Sequence, residues 1–422
     1  MADAVDGRRG WAGFAAATLA ALLLYSAVNT PAAIYPVFEQ IYGLRPFTVT
    51  TIYGAYSVAL IPTLLITASA ANVVGFRVIL SAAWAVGAVG LLVMAGADGL
   101  VLLHLGRFLQ GIAMGLATGG TAAALVALER RRDPRRASVA MTAAISFGSG
   151  LGPIVAGAFA QYLTVPDRLS FIVFGTLLAL CAVGFWLRMP PALGRTGIRW
   201  APRLPAIPGD SRTPFLLTCS NAFLTWAVAG IFLGLAPSYF RAAAPDTSLV
   251  VAAVPTGLTM ICAGLAQLSL SRYSLRYAQL VGLIVTCAGF GMLVTGGELG
   301  SSALIIASAA VAGSGLGTAF LGGADSVNQM SSERADAAGV FATFAMSCYT
   351  GSGLLIIGVG LLGNLLGTTT AVLAFAVTIG VLGAVWIAVS RGRIVPDLPD
   401  AVASAALEPS AAPGRKGLHD ER

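Results

Sequence analysis

An arginine and a glutamine stand nearly one helical turn apart inside a long apolar stretch of this sequence, as Arg107 and Gln110. An isolated guanidinium near the centre of a bilayer costs about 2.5–3.5 kcal/mol or more, so Arg107 needs a partner, water or a function. At 100° per residue, both share a helix face with Met114, Thr118 and Thr121. We expect this face to line a water-filled cavity, where Arg107 and Gln110 serve substrate binding or coupling. The alternative is an arginine that binds backbone carbonyls or reaches the outer interface.

Polar and aromatic side chains interrupt three other apolar stretches. They are Tyr25 and Asn29 in the first stretch, Tyr56 in the second, and Asn221 and Trp226 in the seventh. Such side chains in a cavity with few fixed charges suit a small amphipathic or drug-like molecule. A single tyrosine or tryptophan is also typical of the aromatic belt at a membrane surface. We interpret these five residues as candidate substrate contacts.

The sequence lacks the residue patterns of metal binding, nucleotide binding and enzyme catalysis. The five cysteines are scattered singly, there are two histidines, and no Cys/His spacing matches a metal site. No GxxxxGK[ST] stretch occurs, and no cluster of His, Asp and Glu lies in an apolar stretch. We therefore expect no metal, no cofactor and no enzyme activity. The acidic residues Glu39, Asp98 and Glu298 lie only at the ends of apolar stretches, which leaves the coupling group open.

The composition is that of a polytopic membrane protein. Hydrophobic residues make up 57% of the 422 residues and charged residues only 10%. Soluble domains carry about 25% charged residues. The net charge of +7 does not indicate nucleic-acid binding, because the basic residues form short clusters between apolar stretches. The expected surroundings are a lipid bilayer.

Twelve apolar stretches are long enough for a membrane-spanning helix, which needs about 20 residues. They lie at 11–37, 47–69, 77–97, 99–128, 138–163, 169–189, 214–237, 248–270, 278–297, 301–323, 337–362 and 368–390. A segment rich in Pro, Gly and Arg separates the first six from the last six. We predict an all-α membrane protein with an N-terminal six-helix bundle (1–189), a cytoplasmic linker (190–213), a C-terminal six-helix bundle (214–390) and a disordered cytoplasmic tail (391–422).

The basic residues also indicate the orientation in the membrane. If the N-terminus is cytoplasmic, 21 of the 25 Lys and Arg residues fall in the N-terminus, the even-numbered connections and the tail. The connection at 129–137 alone carries five of them. Because Lys and Arg collect on the cytoplasmic side, we predict that both termini are cytoplasmic. A different number of helices would destroy this asymmetry.

The two halves carry a weak internal repeat. At an offset of 202, Gly111 and Gly115 of the fourth stretch fall on Gly313 and Gly317 of the tenth. Glycines four residues apart let neighbouring helices approach closely, so we interpret Gly111 and Gly115 as a packing stripe. Repeated halves are typical of secondary transporters.

Two local patterns resemble the major facilitator superfamily. "GRFLQGIAMG", which contains Arg107, is similar to the Arg, Gln-Gly, Gly pattern of that family's fourth helix. "GSGLGPIVAG" is similar to the GxxxGPxxGG stretch of its fifth helix, with Gly148, Gly152, Pro153 and Gly157 in the matching positions. Small residues permit close helix contact and a proline removes one helical hydrogen bond. We expect these four residues to form a hinge or a packing contact.

A third pattern, "ASAANVVGFRVIL", is a divergent copy of the family's loop between its second and third helices. Gly75 and Arg77 match the family, while Asn72 replaces its usual aspartate. The resemblance implies that Asn72, Gly75 and Arg77 belong to a cytoplasmic gate.

The resemblance covers nearly the whole chain. It implies twelve transmembrane helices in two six-helix bundles around a central cavity, and a secondary transporter. The fifth-helix stretch is typical of the family's antiporters, so we expect export of a small amphipathic or drug-like compound in exchange for protons. We expect the protein to be a monomer. The alternatives are an importer or facilitator of a neutral small metabolite and, from another class, a membrane-embedded receptor or enzyme.

Overall fold

The computed structural model describes residues 2–67, 70–129, 133–189, 205–273, 277–331 and 337–390. Within these ranges the prediction of twelve helices that are long and apolar enough to cross a membrane is confirmed. These helices are α1 (Gly13–Tyr42), α2 (Pro46–Thr67), α3 (Phe76–Ala95), α4 (Leu100–Leu128), α5 (Arg135–Tyr162), α6 (Leu169–Arg188), α7 (Arg212–Gly234), α8 (Leu249–Leu270), α9 (Ala278–Glu298), α10 (Ser302–Ser331), α11 (Gly339–Leu366) and α12 (Thr368–Ser390). The predicted tail and residues 190–204 of the predicted linker lie outside the described residues.

Two helices, α1 and α10, continue furthest past the spans predicted from hydropathy. α1 reaches Tyr42, with a break before Pro31, and α10 reaches Ser331. Hydropathy marks only the part of a helix that lies in lipid, whereas backbone hydrogen bonding continues until a cap or breaker. For α1 that cap is Gly43, whose φ of 61° is left-handed and favours glycine.

Each half is built on the same pattern of helix contacts. In the first half α4 packs against α2 and α3, α1 packs against α5, and α3 packs against α6. In the second half α10 packs against α8 and α9, α7 packs against α11, and α9 packs against α12. The halves meet where α5 contacts α8 and α2 contacts α11. Two six-helix bundles therefore face each other across these four helices.

The repeated glycines make equivalent contacts in the two halves. A Cβ atom added to Gly111 would lie 3.0 Å from the carbonyl carbon of Tyr56 in α2. One added to Gly313 would lie 2.9 Å from the carbonyl carbon of Thr259 in α8. A Cβ atom added to Gly115 would lie 2.6 Å from Thr63 Cβ, about two turns further along α2. These helix pairs pack backbone to backbone, so larger residues would push them apart.

The two halves are hydrogen-bonded at one end of the molecule. There the backbone N–H of Phe47 donates to Asn364 Oδ1 at 3.0 Å, and that of Leu249 donates to Gln161 Oε1 at 3.0 Å. Each bond joins the first half to the second. We call this region, defined by these four residues, the sealed end. The start of α1 and the end of α12 lie at the opposite end.

Candidate substrate-binding cavity

A cavity of about 450 Å³ lies between the two halves. Its wall runs from Tyr53 and Leu233, toward the sealed end, to the exposed residues Ser138 and Phe341 at the opposite end. Helices α1, α2, α4 and α5 of the first half and α7, α8, α10 and α11 of the second half line it. Its volume falls within the range of small-molecule sites, and it opens away from the sealed end.

Arg107 lies in the cavity wall and is 2% exposed. Its Nη1 atom donates to the backbone carbonyl of Val28 and to Gln110 Oε1, each at 2.7 Å, while Nε has no acceptor. The guanidinium carbon lies 5.5 Å from the ring centre of Tyr53 and 4.8 Å from that of Tyr56, within reach of cation–π attraction. Both interpretations of Arg107 that the sequence left open apply together, because its side chain binds a backbone carbonyl and also lines the cavity.

Gln110 is fully buried and lies behind the cavity wall rather than in it. Its Oε1 accepts from Arg107, and its Nε2 donates to Met94 Sδ at 3.5 Å. Met114 and Thr118, from the same predicted face of α4, do line the cavity. In this conformation Gln110 is a positioning residue that holds the guanidinium.

Four of the predicted contact residues outside α4 line the cavity: Tyr25 and Asn29 of α1, Tyr56 of α2 and Trp226 of α7. The side-chain amide of Asn29 donates to the backbone carbonyl of Tyr25 at 2.9 Å. The Trp226 ring lies 6.0 Å from that of Phe320, and its Nε1 has no acceptor. The wall thus combines aromatic surface with an unpaired N–H group.

The structure places the fifth of these residues, Asn221, away from the cavity. Asn221 is 1% exposed, and its side-chain amide donates to the backbone carbonyl of Gln279 in α9 at 3.1 Å. Gln279 in turn donates to Ser326 Oγ in α10 at 2.9 Å. In this structure Asn221, expected as a substrate contact, makes instead a packing contact that connects three helices of the second half.

Part of the cavity wall lies in α11 and was not predicted from the sequence. The ring centre of Tyr349 lies 6.3 Å from that of Trp226, and both residues line the cavity. The following residues, Thr350–Leu354, form a π-helical turn whose Ser352 also lines the cavity. Such turns occur frequently at functional sites. The available sequence signal was the Thr-Gly-Ser-Gly run inside an otherwise apolar stretch.

A family model described as the Major Facilitator Superfamily matches residues 17–349, which is most of the chain. This chain belongs to the Major Facilitator Superfamily. A search of curated protein sequences gave no match.

Solved structures similar to this superfamily member include three transporters. The nucleoside transporter NupG shares 16% identity, with 89% of this chain and 98% of that chain covered and a TM-score of 0.71. A bacterial homolog to the human lysosomal transporter Spinster, inward-facing and occupied, shares 14% identity, with 90% and 96% covered and a TM-score of 0.72. A POT family transporter in complex with 5-aminolevulinic acid shares 13% identity, with 91% and 97% covered and a TM-score of 0.75. At these identities the likeness shows the fold.

The fifth-helix glycines of this superfamily member face two neighbouring helices. A Cβ atom added to Gly148 or Gly152 would lie 2.9 Å or 2.7 Å from an atom of α1. One added to Gly157 would lie 3.0 Å from each of two atoms in the first turns of α8, in the other half. With Pro153 between them, these glycines let α5 contact its own bundle on one side and the opposite bundle on the other.

The loop between α2 and α3 is described in part. The side chain of Asn72 lies outside the described residues, although its backbone belongs to the short helix Ala70–Val74. Gly75 is the N-cap residue before α3 and has a φ of 89°, a value that L side chains rarely adopt. The guanidinium carbon of Arg77 lies 4.4 Å from the centre of the Trp186 ring in α6. Arg77 is therefore held within the first half.

Few charged side chains lie at or near the cavity. Among the described residues that line the cavity, Arg107 alone is charged. Of the acidic residues at helix ends, Glu39 lies near the sealed end, beside Ser238 and Arg241 of the second half. The described residues contain no group of three or more His, Cys, Asp and Glu side chains that could hold a metal ion.

Proposed function

We propose that this superfamily member is a secondary transporter that moves a small amphipathic molecule by alternating access. The cavity carries the proposal, because both halves line it, one end is open and the other is sealed by contacts between the halves. Alternating access needs a site of this kind, reached from one side at a time while the halves rock around it. The aromatic wall suits the apolar part of such a molecule.

The direction that we propose is efflux in exchange for protons. The distribution of Lys and Arg supports cytoplasmic termini, and the open end of the cavity is the end where α1 begins and α12 ends. An exporter in this conformation would load from the cytoplasm. The close contact of Gly148 and Gly152 with α1 fits the exporter-type stretch to which these residues belong.

Import or facilitated movement of a small metabolite is the second candidate. The described cavity wall has no carboxylate that could carry a proton at the site itself. Two of the similar structures are a nucleoside transporter and a POT family transporter in complex with 5-aminolevulinic acid. Cargo of that size would fit a cavity of about 450 Å³.

A compound panel in cells without their own exporters tests the proposal. We expect the gene to lower the intracellular level of at least one amphipathic compound, and an uncoupler to abolish the difference. Inverted vesicles should accumulate the same compound when their lumen is acidic. A higher intracellular level that survives the uncoupler would establish the second candidate instead. Unchanged levels of every compound across the panel would refute transport of this class.

A further inference from the structure

The cavity holds a buried cation without a counter-ion. Arg107 is 2% exposed, and the acceptors that it has, the Val28 carbonyl and Gln110 Oε1, are uncharged. No Asp or Glu lies among the described residues of the cavity wall. A desolvated charge is favourable only when a partner of opposite sign or several hydrogen bonds compensate it. In this conformation the compensation is incomplete.

The buried polar atoms that remain unpaired in the wall are all donors. Among the described lining residues they are Arg107 Nε and Trp226 Nε1, each buried and each without an acceptor. Buried N–H groups are nearly always hydrogen-bonded in proteins, so unpaired donors in a cavity indicate a ligand that accepts. A guanidinium is matched best by a planar carboxylate, whose two oxygens can bind two of its N–H groups.

A part of the wall in the second half is complementary to an apolar body. Five side chains of the second half have no strong hydrogen-bonding group, since the methionine thioether is only a weak acceptor. They are Met260, Leu316, Phe320, Phe341 and Phe344. Aromatic and aliphatic surface of this kind binds hydrocarbon rings and chains. The charge is thus on one side of the cavity and much of the apolar surface on the other.

We propose that the transported molecule is an amphipathic organic anion, with a carboxylate bound by Arg107 and an apolar body against the second half. This inference rests on the proposed function, since it takes the cavity to be the transport site. It names the cargo class more narrowly than an amphipathic compound. It also excludes lipophilic cations, which the unpaired guanidinium would repel.

Three probes that share one ring system separate the possibilities. They are 2-naphthoate, 2-naphthamide and 2-naphthylmethylammonium, and their binding to the purified protein in detergent is measured by calorimetry at pH 7. We expect the carboxylate to bind about tenfold more tightly than the amide, because charge-assisted hydrogen bonds are about twice as strong as neutral ones. The ammonium should bind most weakly. Any other order, or no binding of the three probes, overturns the proposal.

One substitution, its matched control and a second variant locate the effect. Arg107→Gln should abolish the preference for the carboxylate, whereas Arg168→Gln removes the same charge from an exposed connection and should preserve it. If the first variant does not fold, Trp226→Phe keeps the aromatic surface and removes one donor. That change should weaken naphthoate binding roughly fivefold, the worth of one hydrogen bond, and leave the ammonium probe unchanged. A carboxylate preference that survives Arg107→Gln, or naphthoate binding that Trp226→Phe leaves unchanged, refutes the proposed binding mode.

Binding is measured without a membrane or gradient, so this test is separate from the transport assay. A carboxylate preference that depends on Arg107 supports the proposed cargo class even if the compound panel finds no export. Export of a cationic compound, with no preference for naphthoate, would leave transport established and the anion inference refuted.

Discussion

Replacing Gly257 by alanine adds one methyl group where α8 of the second half meets α5 of the first. The added Cβ would lie 2.5 Å from the Gly150 carbonyl oxygen and 2.6 Å from Ile154 Cδ1. Ordinary contact begins at 3.4 Å, so the two helices must part by the difference, about 0.9 Å. The oxygen belongs to the backbone and cannot move away without moving α5.

The cost of this displacement applies mainly to the conformation with the sealed end closed. Overpacking a well-packed contact costs about 1–3 kcal/mol. Since 1.4 kcal/mol is a factor of ten, the ratio of sealed to unsealed molecules should fall about 5- to 150-fold. The helix-propensity gain of alanine over glycine is similar in both conformations and cancels from this ratio. We therefore expect Gly257→Ala to shift the population rather than to unfold the protein.

Thiol labelling measures the shift. Thr50 is fully buried near the sealed end and lies against Gly360 of the other half. A Thr50→Cys variant without the five native cysteines should react slowly with a membrane-impermeant maleimide. Adding Gly257→Ala should raise that rate at least fivefold and slow transport. The matched control is Gly380→Ala in α12, where an added Cβ meets no atom within 4 Å and labelling should not change. Equal labelling of the Gly257 and Gly380 variants would refute the idea that this contact sets the conformational balance.

Three further substitutions have clear expected outcomes. Arg107→Ala should abolish transport in vesicles while expression and membrane insertion stay near normal, and full activity would remove Arg107 from the site. Asn221→Ala should leave cargo affinity unchanged but lower the free energy of unfolding by about 1 kcal/mol through its lost bond to Gln279, as thermal unfolding would show. Gly75→Ala should destabilise by about 1–3 kcal/mol, because its φ of 89° and ψ of 158° strain any residue with a Cβ; an unchanged melting temperature would contradict this.

The number of helices could be predicted because the bilayer alone sets how many apolar residues each crossing needs. Each crossing must offer about 20 apolar residues to lipid, whatever its neighbours are. The same physics singled out Arg107, since a charge at that depth needs water or partners. The structure gives it both a carbonyl partner and a place in the cavity wall.

The rotation of each helix about its axis could not be predicted in the same way. Tyr25 and Asn29 are four residues apart, only about 40° around a helix, and both line the cavity. Asn221 and Trp226 are five residues apart, about 140° around α7, and only Trp226 lines it. Because α7 is mostly buried, apolar residues surround it and no amphipathic face indicates which side meets the cavity.

The repeated architecture makes the position of the charge informative. Gly111 and Gly313 keep the same backbone contacts in the two halves, so the packing is nearly symmetric. The cavity is not: Arg107 corresponds at the same offset to Ala309, which is fully buried. A cargo with one polar end would therefore bind in one orientation, with that end on the first half. Placing a second arginine by Leu316→Arg, in the apolar part of the wall, should weaken naphthoate binding if the apolar body lies there. If a dicarboxylate binds the Leu316→Arg variant more tightly than it binds the unsubstituted protein, the polar end of the natural cavity lies on the first half and the apolar end on the second.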